Sequence, residues 1–143
     1  MVEFCVSHGV KFVTTSAGDP SKYIEVLKYA GITVYHAVPS VEGAVKAANA
    51  GVDGLVVEGT EGGGFKNPEE VGLLVLIQAI RKELDLPIVA AGGIVDGTGM
   101  AAVFELVQRV SKWEPGLFRV KKALCTKTLR IKSLIQRSRE LGS

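Results

Sequence analysis

The sequence predicts an α/β fold in which helices cover a parallel β-sheet, and three observations support this. Short β-rich runs alternate with segments of helical periodicity, in a chain of 143 residues that is 47% hydrophobic. The runs FVTT, ITVYH, GLVVE and PIVAA lack the alternation of apolar and polar residues that marks a half-exposed strand, so we expect these strands to be buried on both faces. Each run is followed by a loop and then by a helical segment, which is the order of a βα unit.

Local signals set the bounds of the predicted elements. Strands are predicted at residues 11–15, 32–36, 54–57 and 87–91. Helices are predicted at residues 1–10, 21–30, 41–50, 68–84 and 97–106. Ser40 is a favourable N-cap, and Gly31 and Gly51 end the helices before them. Asn67 and Pro68 are typical of an N-cap and of the first helical position.

Four consecutive βα units are compatible with two architectures. One is an open, doubly wound sheet, and the other is part of a (β/α)8 barrel. A full barrel needs about 200 to 250 residues, so the chain is long enough for about half of one.

Charge divides the chain near residue 106. Residues 1–106 contain 7 Lys and Arg against 13 Asp and Glu, whereas residues 107–143 contain 10 against 2. An acidic body with a basic C-terminal segment indicates either a partner-binding arm or a segment of different origin. Apolar residues near helical spacing within that segment favour, if the segment is an arm, a basic amphipathic helix for an anionic surface or nucleic acid.

Composition excludes several classes of protein. No apolar run approaches the roughly 18 to 20 residues that cross a bilayer, and the first ten residues lack the pattern of a signal peptide. We therefore expect a cytoplasmic protein without a membrane partner. Cys5 and Cys125 have neither CxxC spacing nor a neighbouring His cluster, so we expect two reduced thiols and no metal site.

Two glycine-rich loops follow predicted strands, at the end of the sheet where α/β folds bind ligands. Gly92 and Gly93 precede a predicted helix start at Gly97, and exposed backbone N–H groups beside a helix N-terminus suit a phosphate group. A tight turn without a ligand is the alternative. The run Gly62-Gly63-Gly64 is compatible with a lid, a close approach to a flat cofactor ring or a slack loop.

Both loops stand within longer segments that resemble a known family. VEGAVKAANAGVDGLVVEGTEGGG at residues 41–64 and LPIVAAGGIVDGTGMAAVFEL at residues 86–106 are similar to the second half of a group of FMN-dependent barrels. That group comprises the nitronate monooxygenases, formerly called 2-nitropropane dioxygenases, and the flavin enoyl-ACP reductases. The resemblance covers about residues 11–106 and implies an α/β fold that is a partial (β/α)8 TIM barrel of about four βα units.

The resemblance implies FMN as cofactor and four residues that bind it. Glu58 and Gly63 match the family segment beside the flavin ring, and Gly92 and Gly93 match the segment that binds its phosphate. The implied reaction is oxidation of an alkyl nitronate with O2 to a carbonyl compound and nitrite. An enoyl-ACP reductase that uses NAD(P)H is the alternative, and an inactive half-barrel is a third possibility. The expected partner is a small-molecule substrate, not a nucleic acid, and no catalytic residue is assigned.

Two aromatic positions bear on the implied site. His36 matches a strand-end His of some members, where it is either a polar group at the pocket mouth or a structural residue. Phe65 stands after the glycine run, where many members have a His. Phe has no titratable nitrogen and cannot act as a base. Either the reaction differs, or the nitronate enters already deprotonated.

The family pattern stops at residue 106, and its opening strands have no counterpart before Met1. Where the family continues Gly-Ala-Glu-Gly-Val-Gln-Met-Gly-Thr-Arg-Phe, this chain has VQRVSKWEPGL. A permitted choice of codons for these residues, shifted by one nucleotide, translates into the family segment. We therefore interpret residues 107–143 as a frameshifted reading of a barrel gene, and the basic amphipathic helix is the alternative. A half-barrel exposes the edges of its sheet, so we expect a homo-oligomer, with aggregation as the alternative.

Overall fold

A computed structural model describes residues 1–63 and 70–108, which form a four-stranded sheet and five α-helices. The strands are β1 (Phe12–Ser16), β2 (Thr33–Val38), β3 (Gly54–Glu58) and β4 (Ile88–Ala91). The helices are α1 (Val2–Ser7), α2 (Ile24–Tyr29), α3 (Val41–Ala50), α4 (Leu73–Glu83) and α5 (Gly97–Gln108). A single 3₁₀ turn, Pro20–Lys22, precedes α2. Each predicted strand and helix is present, with shifted bounds at several ends.

The four strands are parallel and lie in the sheet in chain order, β1-β2-β3-β4. Because crossovers between parallel strands are right-handed, a sheet whose order never reverses carries its helices on one face. A doubly wound sheet reverses its strand order and has helices on both faces. The observed order is that of a (β/α)8 barrel, so the predicted α/β class and partial barrel are confirmed.

The hydrophobic core lies between one face of the sheet and the helices. The strands contribute five side chains that are at most 2% exposed, namely Val34, Val38, Leu55, Val57 and Ile88. Helix α4 contributes a stripe at helical spacing, namely Leu73, Leu76, Ile77 and Ile80. Full burial of one such aliphatic side chain contributes about 1.5–3 kcal/mol, so this single layer is the main source of stability.

The opposite face of the sheet, which we call the uncovered face, is only partly covered in the described part of the chain. Side chains alternate along a strand, so the neighbours of the core residues point to this face. Phe12 is 40% exposed there, and Val56 and Val89 are half-buried. The expectation that these strands are buried on both faces is therefore wrong for most of this face in the described residues, although Tyr35, which lies on it, is 3% exposed. In a complete barrel this face lines an interior filled by side chains from all the strands, whereas four strands are present here.

Helix α3 begins and ends where the sequence predicts. The Ser40 Oγ accepts a hydrogen bond of 3.1 Å from the Gly43 N–H. Gly51 then ends the helix with a φ of 91°, a left-handed conformation that glycine adopts without steric cost. Both signals are local in sequence, which explains why the prediction holds.

Helix α4 begins later than the sequence predicts. Residues 70–72 are not helical, Glu70 has a φ of 46°, and Gly72 is the N-cap of a helix whose first residue is Leu73. The predicted start at residue 68 is therefore wrong, and Asn67 and Pro68 lie outside the described residues. The start at Leu73 has a distant cause, because the backbone N–H of Leu73 donates to the Glu61 carboxylate.

Other sequence predictions fall partly or wholly outside the described residues. The basic segment 107–143 lies outside the described residues from residue 109 onward. Phe65 and Cys125 also lie outside them. Cys5 is a free, half-buried thiol. Over residues 1–63 and 70–108, no helix has the length and hydropathy of a membrane span, and no three potential metal ligands cluster.

Candidate functional site

The candidate site lies at the carboxyl ends of β3 and β4, where two loops meet. The backbone N–H of Gly59 donates a hydrogen bond of 3.0 Å to the Ala91 carbonyl, which continues the pairing of the two strands by one residue. The N–H of Gly62 then donates to the Gly59 carbonyl at 2.9 Å and turns the first loop back. This turn places Gly62 against the loop that follows β4.

Gly92 and Gly62 are in backbone contact across the two loops. A Cβ atom on Gly92 would lie 2.9 Å from the Gly62 nitrogen and 3.4 Å from the Gly59 carbonyl oxygen. Gly92 also has a φ of 101°, which a side chain disfavours. Gly93 follows with a φ of 63°. A residue larger than glycine at position 92 would separate the loops.

Glu58 ends β3 and lies over the first loop. A Cβ atom on Gly62 would lie 2.9 Å from Glu58 Oε1 and 3.1 Å from its Cγ. By strand alternation, Glu58 shares the uncovered face of the sheet with Val56. Its carboxylate is therefore at the carboxyl end of the sheet, on the side that would be the interior of a barrel.

Three of the four predicted cofactor residues, Glu58, Gly92 and Gly93, are brought together at this point. Gly63 follows in the chain, but a Cβ atom there would meet nothing within 4 Å, so the described contacts do not require glycine at position 63. Gly62, the glycine that makes the contact, is not among the four predicted cofactor residues. The available signal was the run of three glycines, which indicates a close approach without indicating which glycine makes it.

The α5 N-terminus, which the sequence suggested for a phosphate, already carries an acid. The Asp96 Oδ1 accepts a hydrogen bond of 2.8 Å from the Gly99 N–H, and its carbonyl accepts another of 3.1 Å from the Met100 N–H. A carboxylate at this position already interacts with the positive end of the helix. Anion binding at this end of the sheet would therefore depend on the Gly92-Gly93 turn, not on the helix dipole.

His36 is a structural residue of the helix-facing core. It is 5% exposed and lies on the same face of β2 as Val34. Its Nδ1 shares a hydrogen bond of 2.8 Å with the Thr15 Oγ1 and lies 3.5 Å from the Tyr23 Oη. Burial lowers the pKa of His36, and the nearby Asp19 carboxylate opposes this only in part. Of the two interpretations of His36, the structure supports the structural one.

Comparison with known proteins assigns these loops to a family. A family model described as nitronate monooxygenase matches residues 1–107. A nitronate monooxygenase from Paraburkholderia phytofirmans is 37% identical over 90 residues, which cover 58% of this chain and 25% of that protein. A second relative, from Rhodococcus jostii, is a (3aS,4S,5R,7aS)-5-hydroxy-7a-methyl-1-oxo-octahydro-1H-indene-4-carboxyl-CoA dehydrogenase. It is 33% identical over 101 residues, which cover 71% of this chain and 28% of that protein. The chain thus spans little more than a quarter of the length of these relatives.

A solved structure gives the same assignment from the fold. FabK from Thermotoga maritima superposes with a TM-score of 0.69 at 42% sequence identity. The superposition covers 74% of this chain and 33% of that chain. The four βα units described here correspond to part of its barrel.

Proposed function

This chain belongs to the nitronate monooxygenase family, and from that premise we propose that it carries part of the FMN site of an oxidoreductase. The observation that carries the proposal is the backbone contact of Gly62 with Gly92 at the carboxyl ends of β3 and β4. A surface of glycine backbone admits the close approach of a flat ring or a phosphate, which a Cβ atom would obstruct.

The residues of the two loops fit a flavin in a specific way. Gly92 and Gly93 turn the backbone through two positive φ angles and can present N–H groups to a phosphate. Residues 54–63 and 88–99 contain neither Lys nor Arg, so in these loops the phosphate would be held by backbone groups and not by charge. We propose that Glu58 and Gly63 lie beside the ring. Bound FMN supplies the redox chemistry, and the chain orients it.

We propose that the substrate is an alkyl nitronate, which O2 oxidises to a carbonyl compound and nitrite. The family match and the relative from Paraburkholderia phytofirmans support this choice. A nitronate enters as an anion that has already lost its α-proton, so this reaction does not require a base at position 65, where the chain has Phe. The site would operate in the cytoplasm on a small molecule.

A reductase is the second candidate, because the flavin enoyl-ACP reductases belong to the group that residues 11–106 resemble. The dehydrogenase from Rhodococcus jostii points to a thioester substrate in the same family. In this alternative, NAD(P)H would reduce the flavin and an enoyl thioester would accept the electrons. An inactive half-barrel is the third candidate.

Two further proposals concern the whole chain. We propose that it self-associates, because both sheet edges and the uncovered face are open in the described residues. We also propose that residues 107–143 derive from a shifted reading frame, and the end of the family match at residue 107, the first residue of this segment, supports the proposal.

Titration with FMN, followed by flavin fluorescence, tests the cofactor proposal. We expect saturable binding to the unmodified chain and at least tenfold weaker binding to Gly92→Ala, which separates the loops. Gly31→Ala is the matched control, because Gly31 also has a positive φ, 70°, but lies far along the chain and would bring its Cβ near no other atom. Absence of binding to the unmodified chain, or equal binding to both variants, would contradict the proposal.

The substrate is tested with the FMN-loaded chain. Nitrite release from propyl-2-nitronate under O2, without NAD(P)H, would support the monooxygenase. Oxidation of NAD(P)H that depends on an enoyl thioester would support the reductase. Bound FMN without either reaction would identify an inactive half-barrel.

A further inference from the structure

The side chain of Glu61 runs close to three glycines from three segments, although part of its surface is exposed to solvent. A Cβ atom on Gly59 would overlap its carboxylate, and one on Gly72 would lie 3.1 Å from its Oε1. A Cβ atom on Gly93 would lie 3.4 Å from the Cβ, Cγ and Cδ atoms of Glu61. These glycines belong to the β3–α4 loop, the start of α4 and the β4–α5 loop. Their missing side chains provide the space for this one residue.

The Glu61 carboxylate also caps α4. It accepts hydrogen bonds from the Leu73 N–H at 3.0 Å to Oε2 and at 3.3 Å to Oε1. The N-cap residue Gly72 has no side chain, and the first turn of α4 contains no acid. Glu61 therefore supplies the negative charge that the N-terminus of the helix favours. The Thr60 N–H donates a further bond of 3.1 Å to the Val71 carbonyl, which joins the same two segments.

We propose that Glu61 is a positioning residue of the cofactor site. Its carboxylate fixes the β3–α4 loop to the start of α4, while its aliphatic stem supports the turn at Gly93. The two attachments together hold Gly62 at the distance from Gly92 that the backbone contact requires. This inference rests on the proposed FMN site for its consequence in binding, but the geometry of the loops can be measured without the cofactor.

Variants at position 61 test the two roles of the side chain, the hydrogen bond of its carboxylate and the contact of its stem with Gly93. Glu61→Gln keeps the stem and an oxygen acceptor for the Leu73 N–H, so we expect FMN affinity within about threefold of the unmodified chain. Glu61→Ala loses both, and we expect affinity to fall by about tenfold or more, since misplacing a binding group by about 1 Å can cost up to 100-fold. Amide NMR signals of Gly62, Gly92 and Gly93, recorded without FMN, should move in Glu61→Ala and remain in place in Glu61→Gln.

Ser40→Ala is the matched control, because it removes a side-chain oxygen that accepts a hydrogen bond from the first turn of another helix, α3. It should lower the stability of the chain by an amount similar to Glu61→Ala and leave the three glycine signals and FMN affinity unchanged. This comparison separates positioning from a general loss of stability.

The outcomes distinguish the positioning role from the cofactor proposal. If the unmodified chain does not bind FMN but Glu61→Ala moves the glycine signals, the FMN site fails and the positioning role stands. If the unmodified chain binds FMN and Glu61→Ala neither moves these signals nor weakens binding, the positioning role is overturned. It is also overturned if Ser40→Ala moves the glycine signals as much as Glu61→Ala does.

Discussion

A single buried histidine makes the stability of the fold depend on pH. His36 packs beside Thr15 and Tyr23, with Asp19 as the nearby acid, and burial lowers its pKa. In the unfolded chain the imidazole of His36 binds a proton near pH 6.5. In the folded chain it binds the proton only at a lower pH. Stability is therefore fully present above about pH 6.5 and falls as the pH drops below that value, by about 1.4 kcal/mol for each unit by which the pKa is lowered.

This prediction is checked by urea unfolding between pH 5 and pH 8. We expect His36→Gln to be less stable than the unmodified chain at pH 8 but to lose less stability on going to pH 5. His8→Gln, which changes the exposed histidine that follows α1, should keep the pH dependence of the unmodified chain. An unchanged slope in His36→Gln would show that other groups cause the acid sensitivity.

The start of β3 shows a second constraint at the scale of one residue. The ring of Tyr35 covers Gly54 so closely that a Cβ atom there would lie 2.6 Å from its Cε2. Tyr35 is 3% exposed and its ring packs 5.1 Å from that of Phe12. Burial raises the pKa of Tyr35 to about 12, and the nearby Asp53 carboxylate adds to the effect.

Gly54→Ala should therefore destabilise the chain by about 1–3 kcal/mol through overpacking. Gly63→Ala is the control, since neither glycine has a positive φ and a Cβ at position 63 meets nothing within 4 Å. Thermal unfolding of both variants checks the difference. The cost of Gly54→Ala should shrink in a Tyr35→Ala background, and an additive double variant would contradict the contact as its cause.

At the scale of elements, the sequence predicts the bounds of a helix where neighbouring residues determine them. The bounds of α3 follow from Ser40 and Gly51, which adjoin it. The start of α4 follows from Glu61, twelve residues away from Leu73, and no window of sequence contains the information that the chain folds back there. The contact of Gly62 with Gly92 likewise depends on how β3 pairs with β4. Sequence could therefore locate the two loops and Gly92, but not which glycine of the run 62–64 contacts it.

Arg81, in the last turn of α4, joins three elements. Its Nη1 donates a hydrogen bond of 2.6 Å to the Leu86 carbonyl before β4, and its Nη2 donates one of 2.8 Å to the Val107 carbonyl near the end of α5. Burial lowers its pKa, with Asp85 opposing the effect. The guanidinium thus holds α4, β4 and α5 together through two backbone carbonyls.

Arg81→Met keeps much of the aliphatic packing and removes both hydrogen bonds, so we expect a loss of about 2–4 kcal/mol. Chemical unfolding measures this loss. Lys82→Met changes the adjacent, exposed side chain and should stay within about 0.5 kcal/mol of the unmodified chain. Equal stability of the two variants would show that the Arg81 bonds contribute little.

At the scale of the whole molecule, the sheet is open in two ways. Strands β1 and β4 are its edges in the described part, and its uncovered face carries Phe12 at 40% exposure. Two copies related by a two-fold axis could place β4 of each beside β1 of the other. All eight strands would then remain parallel and in barrel order, and the uncovered faces would form one interior. The predicted homo-oligomer would therefore complete a barrel of which the described residues of one chain supply four strands.

Light scattering after size exclusion, over a range of concentrations, tests this association. We expect a mass above the 15.2 kDa of one chain, and a shift toward 15.2 kDa for Val56→Lys, which places a charge on the uncovered face. Val75→Lys is the control, because Val75 is 63% exposed on α4, away from that face. Val89→Lys repeats the test from β4, and circular dichroism checks that each variant is folded. A folded Val56→Lys that keeps the mass of the unmodified chain would place the interface elsewhere. A monomeric unmodified chain would exclude association, and it would show that the open sheet is stable in water by itself.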